Sequence, residues 1–172
     1  SVASRGLGDV YKRQILECAQ AGLSCLTVLK KRQHYQQAFD KFDPQRVARY
    51  SARKTAELLT NAKIIRNRLK ISSAVSNARA FLVVQDEFGT FAEYIWTFVD
   101  GKPRQNTWTR QKDVPAYTSQ SDAMSTDLKR RGFTFVGSTI CYAFMQAVGM
   151  VNDHTTDCFR YAQLKDGRTT DS

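Results

Sequence analysis

Proline is scarce in this chain, three in 172 residues, and apolar runs are short, the longest being stretches such as Val148 to Val151 and Phe81 to Val84. A bilayer span needs about 20 consecutive apolar residues, so none of these is a transmembrane helix. No charged, apolar and small-residue signal peptide opens the sequence, and the expectation is a soluble, cytoplasmic protein. The four cysteines, Cys18, Cys25, Cys141 and Cys158, have no CxxC spacing, which predicts reduced thiols rather than disulfides. GxSxG, Walker, HExxH and kinase signatures are missing, so hydrolysis by a serine triad and phosphate transfer have no residues to stand on. Sustained polar/apolar alternation, internal repeats and low-complexity runs are also missing, and the predicted class is all-α.

What is present is positive charge. Lysine and arginine number 26 against 16 acidic residues, a net +10, on an ordinary globular composition of 42% hydrophobic and 24% charged residues. Disordered, collagen-like and coiled-coil chains are excluded by that composition, and the length suits one domain. Excess cations on a domain this size point to a polyanion, because Lys and Arg gain affinity by releasing counterions from phosphates. A merely solvated basic surface is the plain alternative, and placement decides between them.

Residues 1–14 show no periodicity and read as an unrelated tail. From Ile15 the stripe Ile15, Leu16, Ala19, Leu23, Leu26 and Leu29 predicts an amphipathic helix, interrupted by Gly22, which in a helix costs about 1 kcal/mol against Ala and marks a bend, an end or a close approach. Asp43-Pro44 predicts a capped start to a short helix reaching Tyr50, and Ser51 a second start running to Asn61. The strongest stripe begins at Ile64 and continues through Leu69, Ile71, Val75, Ala78, Phe81 and Leu82. After Gly89 an aromatic stretch from Phe91 to Val99 closes at Asp100-Gly101, and 100–120 reads as a long surface loop. Ser121 is expected to cap a helix through Leu128 to Arg131, stopped by Gly132, and a last helix runs from Ser138 to Val148.

Within this plan, Leu128 to Gly149 is a helix ending in cations, a tight apolar turn between Gly132 and Gly137, and a second helix. Such a turn can set backbone N–H groups and a helix N-terminus against a phosphate, with Lys129, Arg130 and Arg131 adding charge. An ordinary helical hairpin with a basic outer face is the alternative. Two further cationic clusters, at Lys30 to Arg32 and at Lys63, Arg66, Arg68 and Lys70, favour binding along a nucleic-acid backbone. Glu17 reads either as a solvent-facing carboxylate or as one in an apolar pocket, accepting hydrogen bonds from a base edge or steadying positive charge. His154 and Cys158 share H-x₃-C spacing, which puts both on one face if the segment is helical; a structural zinc wants four ligands, and the chain offers no matching pair.

The segments LECAQAGLSCLTVLKKRQHYQQAFDKFDPQRVARY, IIRNRLKI with NARA, and LKRRGFTFVGSTICYAFMQAVGMVNDH together resemble the DNA-3-methyladenine glycosylase I family, in order and in register from about Ile15 to Tyr161. The resemblance implies an all-α, helix-hairpin-helix DNA glycosylase-like domain over 15–161, with the hairpin element at 121–149 and a flexible tail at 162–172. It implies a monofunctional N-glycosylase that hydrolyses the bond to 3-methyladenine in alkylated duplex DNA as the first step of base excision repair. Damaged double-stranded DNA is the partner; no membrane and no obligate protein partner are implied, and the chain is expected to be a monomer. Glu17 then contacts the extruded base, Gly22, Leu23 and Cys25 form base pocket and duplex wedge, and Lys129, Arg130, Gly132, Phe133, Val136, Gly137, Ser138 and Thr139 hold DNA. His154 and Cys158 match the family's C-terminal zinc ligands.

Two departures accompany the resemblance. The family has a Trp, which stacks on the base, where this chain has Cys25. The family also carries an N-terminal segment with a Cys, tryptophans, a pocket Tyr and a His, for which residues 1–14 hold no counterpart. Zinc is therefore expected to be absent or incompletely ligated, and a truncated, catalytically impaired helical DNA-binding module is the alternative function.

Overall fold

The computed structural model describes residues 25–165; the side chains of 25–30 and of Leu164 fall outside that description. Among the described residues its regular structure is helical apart from one two-residue parallel pair, β1 (Arg104–Gln105) beside β2 (Val151–Asn152), in register Arg104 to Val151. The all-α expectation therefore holds. The residues fall into two compact units, the first holding 25–92 and 128–135, the second 93–127 and 136–165.

The first unit opens with α1, Cys25–Ala38, which places Lys31 and Arg32 mid-helix. Local chemistry sets the next two starts as read from sequence. Asp43 accepts from Gln45 N at 2.9 Å with Pro44 in the first position, giving α2, Pro44–Ala48. Ser51 accepts from Lys54 N at 3.1 Å, giving α3, Ala52–Thr60, with Asn61 as C-cap. The long helix α4, Arg68–Phe88, starts four residues later than its apolar stripe suggests. Asn67 supplies the cap to Lys70 N at 3.2 Å, while Ile64 is buried in the core from irregular backbone ahead of the helix. Packing needs apolar side chains on such a segment as much as on a helix, so the stripe alone did not mark the start.

Tyr35, Phe39, Phe42, Val47, Leu58, Ile64, Ile71, Val75 and Ala78 make the core of this unit, with Phe39 stacked on Tyr35 at 6.0 Å and on Phe42 at 6.2 Å. Phe81 and Phe91 stack at 4.8 Å between ring centroids, and Phe133 meets Phe91 at 6.1 Å.

The second unit contains most of α5 (Phe91–Trp96), the segment 100–118, most of α6 (Ser119–Arg130), α7 (Ser138–Ala147) and α8 (Phe159–Lys165). The expected Ser121 cap is replaced by Thr118, three residues earlier. Thr118 Oγ1 accepts from Ser121 N at 3.3 Å and Ser121 Oγ from Thr118 N at 2.8 Å, a reciprocal capping box in which Ser121 closes the first turn. Both residues are good cappers, and the choice falls on the one whose partner is buried. The segment 100–118 is less loop-like than its composition suggests, since it carries β1 and a 3₁₀ turn at Gln111–Asp113. No helix among the described residues is long and apolar enough to cross a membrane.

Candidate functional site

Helix α6 ends in a full Schellman closure. Gly132 N donates to Lys129 O at 3.0 Å and Phe133 N to Leu128 O at 3.0 Å, and Gly132 takes φ +95, a conformation for which glycine is suited. Thr134 is then clamped by a buried amide from α4. Asn77, 2% exposed, accepts from Thr134 N at 2.9 Å and donates to Thr134 O at 3.1 Å, so its side chain pairs with this backbone as a neighbouring strand would. Ser73 Oγ lies 2.6 Å from Thr134 Oγ1 and 3.3 Å from Asn77 Nδ2, completing the network.

The next residue, Phe135, adopts φ +57. A non-glycine side chain in that region costs about 1–3 kcal/mol and persists only where its surroundings impose it.

On the far side of the turn, Val136 O accepts from Ser125 Oγ at 2.6 Å and from Cys141 Sγ at 3.3 Å. Gly137 caps α7 with φ −58 and passes its carbonyl to Cys141 N at 2.9 Å. The N–H groups of Gly132, Phe133 and Thr134 are thus consumed internally, whereas those of Gly137, Ser138, Thr139 and Ile140 precede the first intrahelical bond. The unspent donors of the turn are therefore those at the start of α7, where the helix dipole adds partial positive charge.

This accounting sorts the expected DNA-binding residues. Lys129, Arg130 and Thr139 are exposed, and Gly137 and Ser138 are partly exposed. Phe133 and Val136, each 3% exposed, are core anchors of the turn and can offer a ligand backbone only. Arg131 is diverted: its Nη1 lies 2.7 Å from Glu87 Oε2, its side chain is mostly buried, and its guanidinium sits 5.0 Å over the Phe88 ring. Of the other clusters, Arg32, Lys63, Arg66 and Arg68 are exposed. Lys31 Nζ donates to Lys63 O at 3.4 Å. Glu17, Gly22 and Leu23 lie outside the described residues, and Cys25 opens α1 without a described side chain.

Gly137 has neither positive φ nor a crowded Cβ direction, since no heavy atom lies within 4 Å of where a Cβ would sit. Gly137→Ala is therefore expected to leave the melting temperature unchanged while weakening duplex binding several-fold, because the methyl occupies the approach to the α7 N–H groups. Unchanged affinity in a salt-matched titration would remove those donors from the interface.

The zinc candidates end up off any helix. His154 is exposed and Cys158 half-buried, on a turn closed by Cys158 N to Thr155 O at 2.9 Å, with α8 starting only at Phe159. The one-face argument for H-x₃-C fails because the Thr155–Cys158 turn replaces the helix it assumed. A structural zinc requires four donors and these residues offer two.

Immediately before His154, sequence reasoning missed a buried carboxylate. Asp153, 8% exposed, takes Asn106 Nδ2 at 2.7 Å and Trp108 Nε1 at 2.8 Å on one oxygen, and Gln146 Nε2 at 3.0 Å and the Tyr142 hydroxyl on the other. Burial alone would raise its pKa, but the four donors outweigh that and hold it below the ordinary carboxylate value; burial, then Asp153 itself, pushes the Tyr142 phenol up. Asp153 thereby ties the 106–108 segment and α7 to β2. A polar residue directly after the buried Val151 and Asn152 was the available signal, as was Asn77 among the buried Ala74, Ala78 and Phe81 of α4.

Comparison with known proteins accords with this arrangement. Residues 2–161 match the methyladenine glycosylase family, opening ahead of the Ile15 at which the resemblance begins. The chain is 47% identical over 152 residues to DNA-3-methyladenine glycosylase 1 of Escherichia coli, covering 88% of this chain and 81% of that protein. It is 44% identical over 149 residues to the DNA-3-methyladenine glycosylase of Haemophilus influenzae, covering 87% and 80%. Among solved structures, a crystal structure of 3-methyladenine DNA glycosylase I superposes with TM-score 0.81 at 48% identity over 88% of this chain and 83% of that one. The 3-methyladenine DNA glycosylase I from Staphylococcus aureus gives 0.82 at 33% identity over 89% and 81%. With the family matched over nearly the whole chain and the fold shared at these identities, this chain belongs to the methyladenine glycosylase family.

Proposed function

We propose that the chain releases 3-methyladenine from alkylated duplex DNA by hydrolysis of the N-glycosidic bond, without cutting the strand. The observation that carries this reading is the near full-length identity of 44–47% to two proteins named for that activity. The chemistry asks little of the protein. A base methylated at N3 is already cationic, so the bond from the sugar C1′ to N9 breaks with its electron pair passing to the base. Water adds at C1′ and loses a proton. The protein must extrude the base, recognise it and admit water.

In this reading Glu17 meets the extruded base, its negative charge favouring a cationic purine over an uncharged one. Gly22 and Leu23 approach the gap left in the duplex. Cys25 stands where the family stacks a Trp, and a stacked base is worth about 1–3 kcal/mol, so base affinity is lower than in relatives carrying the indole. Lys129 and Arg130 meet backbone phosphates by charge, and the N–H groups from Gly137 to Thr139 offer a phosphate hydrogen bonds, neither reading sequence. The chain works as a cytoplasmic monomer on double-stranded DNA, and zinc is absent or incompletely held by His154 and Cys158.

Glu17→Ala is expected to slow release of free 3-methyladenine from alkylated duplex by about tenfold or more, with affinity for undamaged duplex unchanged. Equal loss of both would remove Glu17 from the pocket. Cys25 in place of the stacking Trp favours one second reading, a DNA-binding module without catalysis. Absence of base release above the spontaneous rate at saturating protein selects it.

A further inference from the structure

Charge is unevenly spread over the first unit. Between Pro44 and Gln85 nine lysines and arginines stand against one carboxylate, Glu57, and Arg53 takes that carboxylate at 3.5 Å. Three of the nine, Lys63, Arg66 and Arg68, are exposed on the turn that leads into α4, and among the described residues none of the three has an ion pair. Arg131 is the contrast, a cation of the same unit that Glu87 neutralises.

The backbone carrying these three is fixed from beneath. Ile64, 3% exposed, anchors the turn in the first core, and the buried Tyr35 hydroxyl of α1 accepts from Ile65 N at 3.0 Å. Asn61 Oδ1 accepts from Lys63 N at 2.9 Å, and Lys31 Nζ donates to Lys63 O at 3.4 Å. Like charges held on so short a framed segment repel one another, and a bound polyanion offsets that repulsion. The turn is distinct from the hairpin but near it within the first unit. Ser73 and Asn77 of α4 hold Thr134, and Arg68 precedes Ser73 by about 7.5 Å along the helix axis at 1.5 Å per residue. One turn of duplex, about 34 Å, reaches both.

We infer that Lys63, Arg66 and Arg68 form a second phosphate-binding edge, which pairs by charge with the duplex backbone apart from the hairpin. A repeating phosphodiester suits three cations spread over six positions of an open turn, whereas a small anion needs an enclosed site with convergent donors. Such an edge adds affinity by releasing counterions, reads no sequence and does not touch the damaged base. The inference rests on the reading that the chain acts on duplex DNA.

The experiment titrates an undamaged 20-base-pair duplex over a range of salt concentrations against the full chain and two triple variants, with melting temperatures alongside. One variant combines Lys63→Gln, Arg66→Gln and Arg68→Gln. The other combines Lys102→Gln, Arg104→Gln and Lys112→Gln, which removes the same charge from exposed positions elsewhere. In the first, the slope of log affinity against log salt is expected to become shallower by about 2–3, and Kd at 0.1 M salt to rise about tenfold or more. The second should keep the parent slope, and both should melt as the parent does. Release of 3-methyladenine from alkylated duplex by the first variant should need more protein to saturate but reach the parent rate once saturated.

A parent-like slope in the first variant, an equal loss in the second, or slower release at saturation overturns the inference. A parent that binds duplex but releases no base overturns the proposed catalysis, and the slope lost in the first variant then still supports the edge. A parent that does not bind duplex overturns both.

Discussion

Asp153→Ala is expected to lower the stability of the second unit by about 3–5 kcal/mol, because it takes a buried carboxylate away from four neutral donors at once. Alanine leaves the Tyr142 hydroxyl, Gln146 Nε2, Trp108 Nε1 and Asn106 Nδ2 without their acceptor. Each lost bond to a charged group is worth about 1.5–3 kcal/mol, discounted here because Asn106, Trp108 and Gln146 are only partly buried and water can reach them. Asp153→Asn keeps the shape but gives up the charge and offers one amide nitrogen where an acceptor is needed, so about half that loss is expected.

The pH dependence follows from the lowered pKa. A carboxyl whose folded pKa lies below its unfolded value stabilises fully above the unfolded value of 3.8, and that contribution disappears as pH falls through the folded pKa. The gap between parent and Asp153→Ala should therefore be constant near neutrality and narrow below about pH 4. Urea unfolding at several pH values measures it, and a neutral-pH difference under 1 kcal/mol would show that the four donors find water instead.

The second large effect is at Asn77. Asn77→Ala removes the acceptor for Thr134 N–H and the donors to Thr134 O and Ser73 Oγ at once. A loss of about 2–4 kcal/mol is expected from these bonds and from the small cavity left in α4. Released from the clamp, the Thr134 backbone loses both of its Asn77 bonds, so under the proposed function duplex affinity should fall even at temperatures where the variant is fully folded. Asn77→Asp tests geometry against volume. It retains an acceptor for Thr134 N–H but sets a second oxygen against Thr134 O, and should be no better than alanine. Parent-like duplex affinity in folded Asn77→Ala would mean that the Schellman closure at Gly132 positions the turn unaided.

Both side chains show where sequence reading stops. The starts at Asp43-Pro44 and Ser51 were legible because the capping oxygen and its N–H partner are two or three residues apart. The hairpin helices were legible from Gly132, Gly137 and Gly149 and from the apolar spacing between them. Lys129 and Arg130, read as cations added to the turn, are exposed. Arg131 could not be told from its two neighbours, because its partner Glu87 is 44 residues away. The start of α4 was displaced because Ile64 belongs to the core while Asn67, an exposed polar residue, decides where the helix begins.

The sequence by itself determined the helical class, the positive surface, the glycine-bounded hairpin and the kinship, all of which depend on composition, on spacings of three or four residues, or on matched motifs. Tertiary structure alone decided which N–H groups of the turn are spent within the fold, that Phe133 and Val136 are buried, and that Asn77 and Asp153 hold the framework. These outcomes rest on polar partners up to 61 residues apart. A buried polar group is stable only when its partner arrives from elsewhere in the fold, and short-range periodicity carries no record of that partner.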